Sequence, residues 1–195
     1  FARVRRGVPG GGAEEMSRLV GERCSRAGHL RVADLHDETT LAAVRRLAPD
    51  LGVVVATYRL RPELFTIPRL GTLNLHFGLA PDYRGSSPGF WELYDGTPES
   101  GVTVHWVNEA LDAGDILRQE RYPLDIAPPG DPLAYLDRYW RGVLRPNGVR
   151  LLAEVVDALR RGPLPAVPQD PARARTRPRA TWRDKLELRQ RVRAR

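Results

Sequence analysis

The stretch that most constrains the fold is LGVVVATY at 51–58, an almost unbroken apolar run preceded by Pro49. A strand apolar on both faces needs cover on both, the situation of a parallel sheet between helical layers. Neighbouring patterns agree: LRVADL at 30–35 reads as a strand, TTLAAVRRLA at 39–48 as a short helix stopped by Pro49, and TLNLHF at 72–77 as a strand after Gly71. Upstream, GVPGGG at 7–12 reads as a plain loop and 13–28 as a helix carrying Met16, Leu19, Val20 and Cys24 at helical spacing. Downstream, Ser87 and Pro88 predict the N-cap and first turn of a helix over 89–95 that stops at Gly96. GVTVHWV at 101–107 alternates as a strand, and 116–124 reads as the last one. Residues 131–161 are helical with a break at Pro146, and Pro163, Pro165, Pro168 and Pro171 mark an extended exit. This order predicts an α/β fold with an open, mostly parallel, Rossmann-like sheet whose site lies at the carboxyl ends of its strands.

Charge narrows the function. The chain of 195 residues carries a net +7, but nine Arg and one Lys against two acids fall within 173–195, so the remainder is close to neutral. A globular body at 1–165 followed by a Pro/Arg-rich tail at 166–195 is the domain organisation this suggests. The body offers nucleic acid no broad positive face. The tail supports a competing class, a nucleic-acid binder acting by phosphate neutralisation; the weak apolar stripe of Leu186, Leu188 and Val192 reads instead as a solvated or partner-docked helix. No apolar run approaches membrane-spanning length, which excludes a membrane partner of that kind. A single cysteine and an opening without a secretory signal suit a reducing, cytoplasmic setting. The start at Phe1 reads as a cut in a longer chain.

The chemistry concentrates at one strand. Asn74 and His76, two positions apart, project to one side about 7 Å from each other. An amide donor beside an imidazole suits a carbonyl oxygen that becomes negative, where one donor is typically worth about 3 kcal/mol of barrier. Asp112, from the acidic loop NEALDAGD at 108–115, is of the type that orients or charges an imidazole or receives a proton. The competing structural role, satisfying loop backbone groups, applies to the same residues. A metal set of His76, His105, Asp112 and Asp115 has suitable residue types but no supporting spacing, and no metal is expected. His29 and His36 read as loop or capping groups, and His105 as a lining residue on the side of Thr103.

The stretches NLHFGLAPDYRGSSP (74–88) and DGTPESGVTVHWVNEALDAGDIL (95–117) resemble the formyltransferase family that uses 10-formyltetrahydrofolate. The resemblance extends upstream over 48–71 and downstream to 165–181. It implies that Asn74, His76 and Asp112 are the catalytic trio, with Asn74 and His76 holding the formyl oxygen while Asp112 tunes His76 and helps shuttle the amine proton. It also implies that the pterin lies against the backbone of Arg59, Leu60 and Arg61 and against the loop from Val107 and Asn108 to Asp112. Family members begin with a strand, a helix and a second strand that would precede Phe1. Where the family commonly has Ser-Leu-Leu-Pro after the histidine, this chain has Gly78, Leu79, Ala80 and Pro81.

Three acceptors fit the resemblance, each presenting a primary amine: an amino-sugar nucleotide, which is favoured, methionyl-tRNA and glycinamide ribonucleotide. Arg84, Ser86 and Ser87, at the expected helix start, are assigned to an acceptor phosphate. A non-catalytic folate-binding relative is the further alternative, and a homodimer is compatible with the sequence.

Overall fold

The computed structural model describes residues 2–6 and 28–195; the glycine-rich loop and the Met16–Cys24 helix expected from the sequence lie outside them. Strand β1 (Ala2–Arg6), which the sequence reading did not assign, pairs in parallel with β2 (Gly28–Val32). Helix α1 (Glu38–Arg46) follows, with Asp37 as N-cap accepting from Thr40 N–H at 2.6 Å. Next come β3 (Gly52–Val55), the single turn α2 (Pro62–Phe65) and β4 (Thr72–His76). After the short β5 (Arg84–Gly85), helix α3 (Phe90–Asp95) leads to the hairpin of β6 (Glu99–Trp106) and β7 (Ile116–Pro123).

The main sheet has the order β3-β4-β6-β7. β3 and β4 are parallel, whereas β6 and β7 join antiparallel. With β1–β2 also parallel, and β5 parallel to β8 (Thr176–Arg177), the architecture is a mixed α/β fold with mostly parallel pairing. One expectation fails at β3. Val53 and Val55 are each 44% exposed, so the run is not buried on both faces. Among the described residues, the edge of β3 away from β4 has no strand partner.

The long helical segment starts as α4 (Pro132–Tyr139), passes through a π turn at Trp140–Leu144 and continues as α5 (Arg145–Arg161). The expected break at Pro146 is therefore a widened turn. Proline has no N–H for the ordinary helical bond, and the Arg145 N–H bonds five residues back to Trp140 O. α5 lies close on β4 because Gly148 has no side chain there; a Cβ would stand 2.8 Å from the Phe77 ring. The core between them gathers Leu73, Leu75, Val102, Val104, Leu144 and Leu151, and each buried aliphatic side chain stabilises the fold by roughly 2 kcal/mol.

The segment beyond residue 165 is seated on this body. Val167 bridges Ile116, β8 (Thr176–Arg177) pairs with β5, and α6 (Trp182–Arg193) buries Leu188 completely and Val192 largely. The helix is not solvated all round. Its N-cap Thr181 forms a reciprocal capping box with Asp184. No helix among the described residues is long and apolar enough to cross a membrane.

Candidate active site

Strand parity builds the chemical face of the sheet. Leu73 and Leu75 of β4 enter the core, so Asn74 and His76 point the other way. In the antiparallel register Asn74 lies opposite His105 and His76 opposite Thr103, and directly opposed residues share a face.

The carboxylate arrives from the loop after β6. Because β6 runs antiparallel to β4, this loop leaves beside the amino end of β4, where Val107 N–H donates to Thr72 O at 2.7 Å. The sequence-based expectation of a shared carboxyl end is thus corrected: the loop doubles back over the sheet. Asn108 Oδ1 accepts from Ala110 N–H, turning the chain. Gly114 packs so close to Trp106 that a Cβ would lie 1.8 Å from Trp106 O. Asp112 itself takes a left-handed φ of 48°, which aspartate tolerates better than most residues.

Asp112 meets every other group of the site. Oδ1 accepts from Asn74 Nδ2 at 2.9 Å and Oδ2 from Gly85 N–H at 2.8 Å. His76 Nδ1 is 3.5 Å from Oδ2, and His105 Nε2 is 3.6 Å from Oδ1. Backbone carbonyls orient the rings: His76 Nε2–H donates to Tyr83 O at 2.6 Å, and His105 Nδ1–H donates to Trp106 O at 2.7 Å. In the neutral rings, His76 Nδ1 and His105 Nε2 are then acceptors. Asn74 Nδ2 donates to His105 Nε2 at 3.2 Å, so both its amide hydrogens are engaged.

The electrostatics follow from burial. Desolvation lowers the His76 pKa from 6.5 against the opposing pull of the Asp112 charge. Desolvation also works to raise the pKa of Asp112, but the facing His105 and His76 rings, once protonated, and the Gly85 N–H outweigh it and hold the carboxyl below its usual range. Near neutral pH the site is a neutral imidazole facing an ionised carboxylate.

A cleft of about 410 Å³ including its mouth opens onto Asn74, His105 and Asp112, whereas His76 is buried beside Asp112 and does not line it. Arg59, Leu60, Val107 and Asn108, expected there, line it together with Val54 and Leu111. Arg61 does not line it, since its N–H donates to His36 Nε2 at 3.0 Å. The Arg59 guanidinium donates across the mouth to Glu109 O. Arg84 donates through Nε and Nη2 to Gln169 Oε1 at 3.0 and 2.8 Å. Ser86 N–H donates to Arg177 O, and Ser87 Oγ accepts from Ala180 N–H. Ser87 is not the expected N-cap: it has φ 70°, and the helix starts after Gly89. The arginine and two serines therefore gather around the segment 169–180.

Sequence reasoning read His105 as a lining residue, and it does line the cleft, but gave no catalytic role to it or to Gln169. The alternation of 101–107 put His105 on the polar face, but only the β4–β6 register brings it to Asn74. Gln169 lies in a Pro-rich exit with no local signal. His76, His105 and Asp112 do converge, but among the described residues no group of three or more His, Cys, Asp or Glu is arranged to hold a metal.

Residues 7–133 match the family described as Formyl transferase. The methionyl-tRNA formyltransferase of Parabacteroides distasonis is 40% identical over 142 residues, 72% of this chain and 41% of that protein. The chain thus spans about two fifths of the length of that relative. Among solved structures, the formyltransferase PseJ from Anoxybacillus kamchatkensis, in complex with UDP-4,6-dideoxy-4-formamido-L-AltNAc and tetrahydrofolate, superimposes with a TM-score of 0.63 at 19% identity, covering 96% of this chain and 89% of that one. Glycinamide ribonucleotide transformylase 1 from Symbiobacterium toebii gives 0.65 at 24% identity, covering 87% and 80%. At these identities the structural likeness speaks for the fold, and the sequence match identifies the lineage: the chain belongs to the formyl transferase family.

Proposed function

We propose that this chain transfers the formyl group of 10-formyltetrahydrofolate to a primary amine, with Asn74, His76 and Asp112 as its catalytic residues. The observation that carries the reading is a carboxamide and an ionised carboxylate at the inner end of an open cleft, with a neutral, buried imidazole 3.5 Å from that carboxylate. The residues present fit the donor: apolar walls at Val54, Leu60 and Leu111 suit a flat ring, and Arg59, Leu60, Val107 and Asn108 would hold it. When bound, the donor supplies a formyl carbonyl activated on nitrogen.

Each side chain then has a task. Asn74 turns an amide hydrogen onto the carbonyl oxygen as negative charge builds there, giving up the longer of its two bonds, the one to His105. His76 has its Nε2–H spent on Tyr83 O, so Nδ1 is the atom that would take up the proton lost by the attacking amine and return it to the folate nitrogen as the bond from that nitrogen to the formyl carbon breaks. Once protonated, that Nδ1–H can donate to the same oxygen, while ionised Asp112 at 3.5 Å stabilises the imidazolium. Fixed by Gly85 N–H, Asp112 needs no reorganisation to do so.

The acceptor favoured is an amino-sugar nucleotide. Four arginines of the basic segment are bound within the fold: Arg173 to Asp82, Arg177 to Asp95, Arg189 to Asp131 and Arg191 to Glu187. This leaves less positive charge for a polynucleotide backbone. Methionyl-tRNA is the second reading, supported by the 40% identical relative of that name. The test is an assay of the intact protein with 10-formyltetrahydrofolate and a panel of amino-sugar nucleotides, glycinamide ribonucleotide and methionyl-tRNA. Asn74→Ala, His76→Ala and Asp112→Asn are each expected to lower kcat by about 100-fold or more while folate binding persists. Normal turnover in the first two variants would overturn the assignment, and folate binding with no turnover of any amine would point to a non-catalytic relative.

A further inference from the structure

We propose that Gln169 is a positioning residue that fixes the backbone of Asp112, making the C-terminal segment part of the catalytic apparatus. This rests on the formyl-transfer reading of Asp112. Gln169 uses its whole side-chain amide. Nε2 donates to Asp112 O at 2.9 Å and to Gly114 O at 2.7 Å, and Oε1 accepts both bonds from Arg84. The two carbonyls flank the tight part of the loop, between a left-handed Asp112 and a Gly114 pressed against Trp106. An aspartate in that conformation is strained, and neighbouring bonds must hold it in place.

The loop makes a turn of its own at Leu111–Asp112, and its other bonds lie to either side. Its turn at Asn108–Ala110 lies upstream, and the Trp106 N–H bond to Asp115 O closes it downstream. Gln169 adds two bonds from a distant part of the chain, on the carbonyls that flank Ala113. Its own place is set by the Val167–Ile116 bridge on one side and by β5–β8 pairing on the other. Arg84 completes the clamp, since its neighbour Gly85 donates directly to the Asp112 carboxylate. One side chain therefore ties the loop carrying the carboxylate to the strand that holds the same carboxylate from the far side.

The test compares Gln169→Ala and Gln169→Glu with Asp112→Asn in the intact protein, using the acceptor found in the panel above. Glutamate keeps the volume and the Arg84 contact but turns an oxygen onto two carbonyls; it carries the decision should the alanine variant fold poorly. Both Gln169 variants are expected to lose about 10–100-fold in kcat, the scale of a catalytic group displaced by about 1 Å. The KM for the folate should change less than kcat, because Val54 and Leu60 of the cleft wall lie outside the loop that Gln169 holds, and such a split is not what general destabilisation produces. In the Gln169→Ala/Asp112→Asn double variant the losses should not multiply. If both Gln169 variants turn over within about twofold of the parent while Asp112→Asn is impaired, the positioning role is wrong and the catalytic reading stands. Normal turnover by Asp112→Asn would remove both.

Discussion

His76 illustrates how one side chain is made chemically competent by its surroundings. Tyr83 O takes the Nε2 hydrogen and leaves Nδ1 towards Asp112, while burial disfavours the imidazolium. Gly78, read as a departure from the family pattern, finds its reason in the same contact. A Cβ there would stand 2.5 Å from His76 Nε2 and 2.7 Å from Tyr83 O. The types and spacing of Asn74 and His76 were legible because a strand's period of two places them on one face. The tautomer was not, since it is decided by a carbonyl seven residues on. A lowered His76 pKa keeps the base form available at lower pH, and the lowered Asp112 pKa keeps its partner ionised. The acid limb of the kcat/KM profile should therefore fall below pH 6.5, the value of a free imidazole. Rates measured from pH 5 to 8 check this; a limb centred above about 6.5 would mean that His76 is not the buried neutral base.

At the scale of elements, periodicity located β3, β4, β6, β7, α1 and the long helical segment within a few residues. What it missed depended on partners distant in sequence. The strand β1 is a charged stretch, ARVRR, whose assignment rests on pairing with β2. The direction of β6 relative to β4 is likewise invisible in either strand alone. The resemblance to a formyltransferase named Asn74, His76 and Asp112, which the fold does bring together although β4 and β6 do not share a carboxyl end. α6 shows the same limit. Its stripe of Leu186, Leu188 and Val192 looked thin, yet Leu188 is fully buried against the core while Leu186 is 48% exposed. Two buried side chains suffice because the Thr181–Asp184 capping box and the Arg189–Asp131 pair supply the rest of the docking. Leu188→Ala should destabilise the protein by about 2–5 kcal/mol, whereas Leu186→Ala should change stability by less than about 0.5 kcal/mol. Urea unfolding of both variants measures this. Equal effects would mean that α6 does not seat as the structure places it.

At the scale of the whole molecule, the net charge of +7 understates how thoroughly the basic segment is integrated. Arg177 pairs with Asp95 and lies over the Trp91 ring, and Arg195 donates to the carbonyls of Leu93, Tyr94 and Ile126. Arg177 also lies near the one strongly shifted carboxyl of the core, Glu92. This residue is buried between α3 and β6, accepts from Ser100 Oγ at 2.9 Å, and has its pKa raised from 4.5 to about 7. Desolvation is the leading cause; Asp95 adds to it, while Ser100 and Arg177 oppose it. A folded-state pKa above the unfolded value means that the native protein binds the extra proton. Its contribution to stability is complete below pH 4.5 and is lost as pH rises through about 7. The shift corresponds to roughly 3 kcal/mol across that window. Glu92→Gln keeps the shape and an acceptor for Ser100 but cannot ionise. Its stability relative to the parent should climb by that amount between pH 4.5 and pH 8. Urea-unfolding free energies at several pH values in that range provide the comparison, and taking the difference between variant and parent cancels every other titrating group. A difference that stays constant with pH would show that Glu92 is already ionised in the fold, its charge held by Arg177 rather than suppressed by burial.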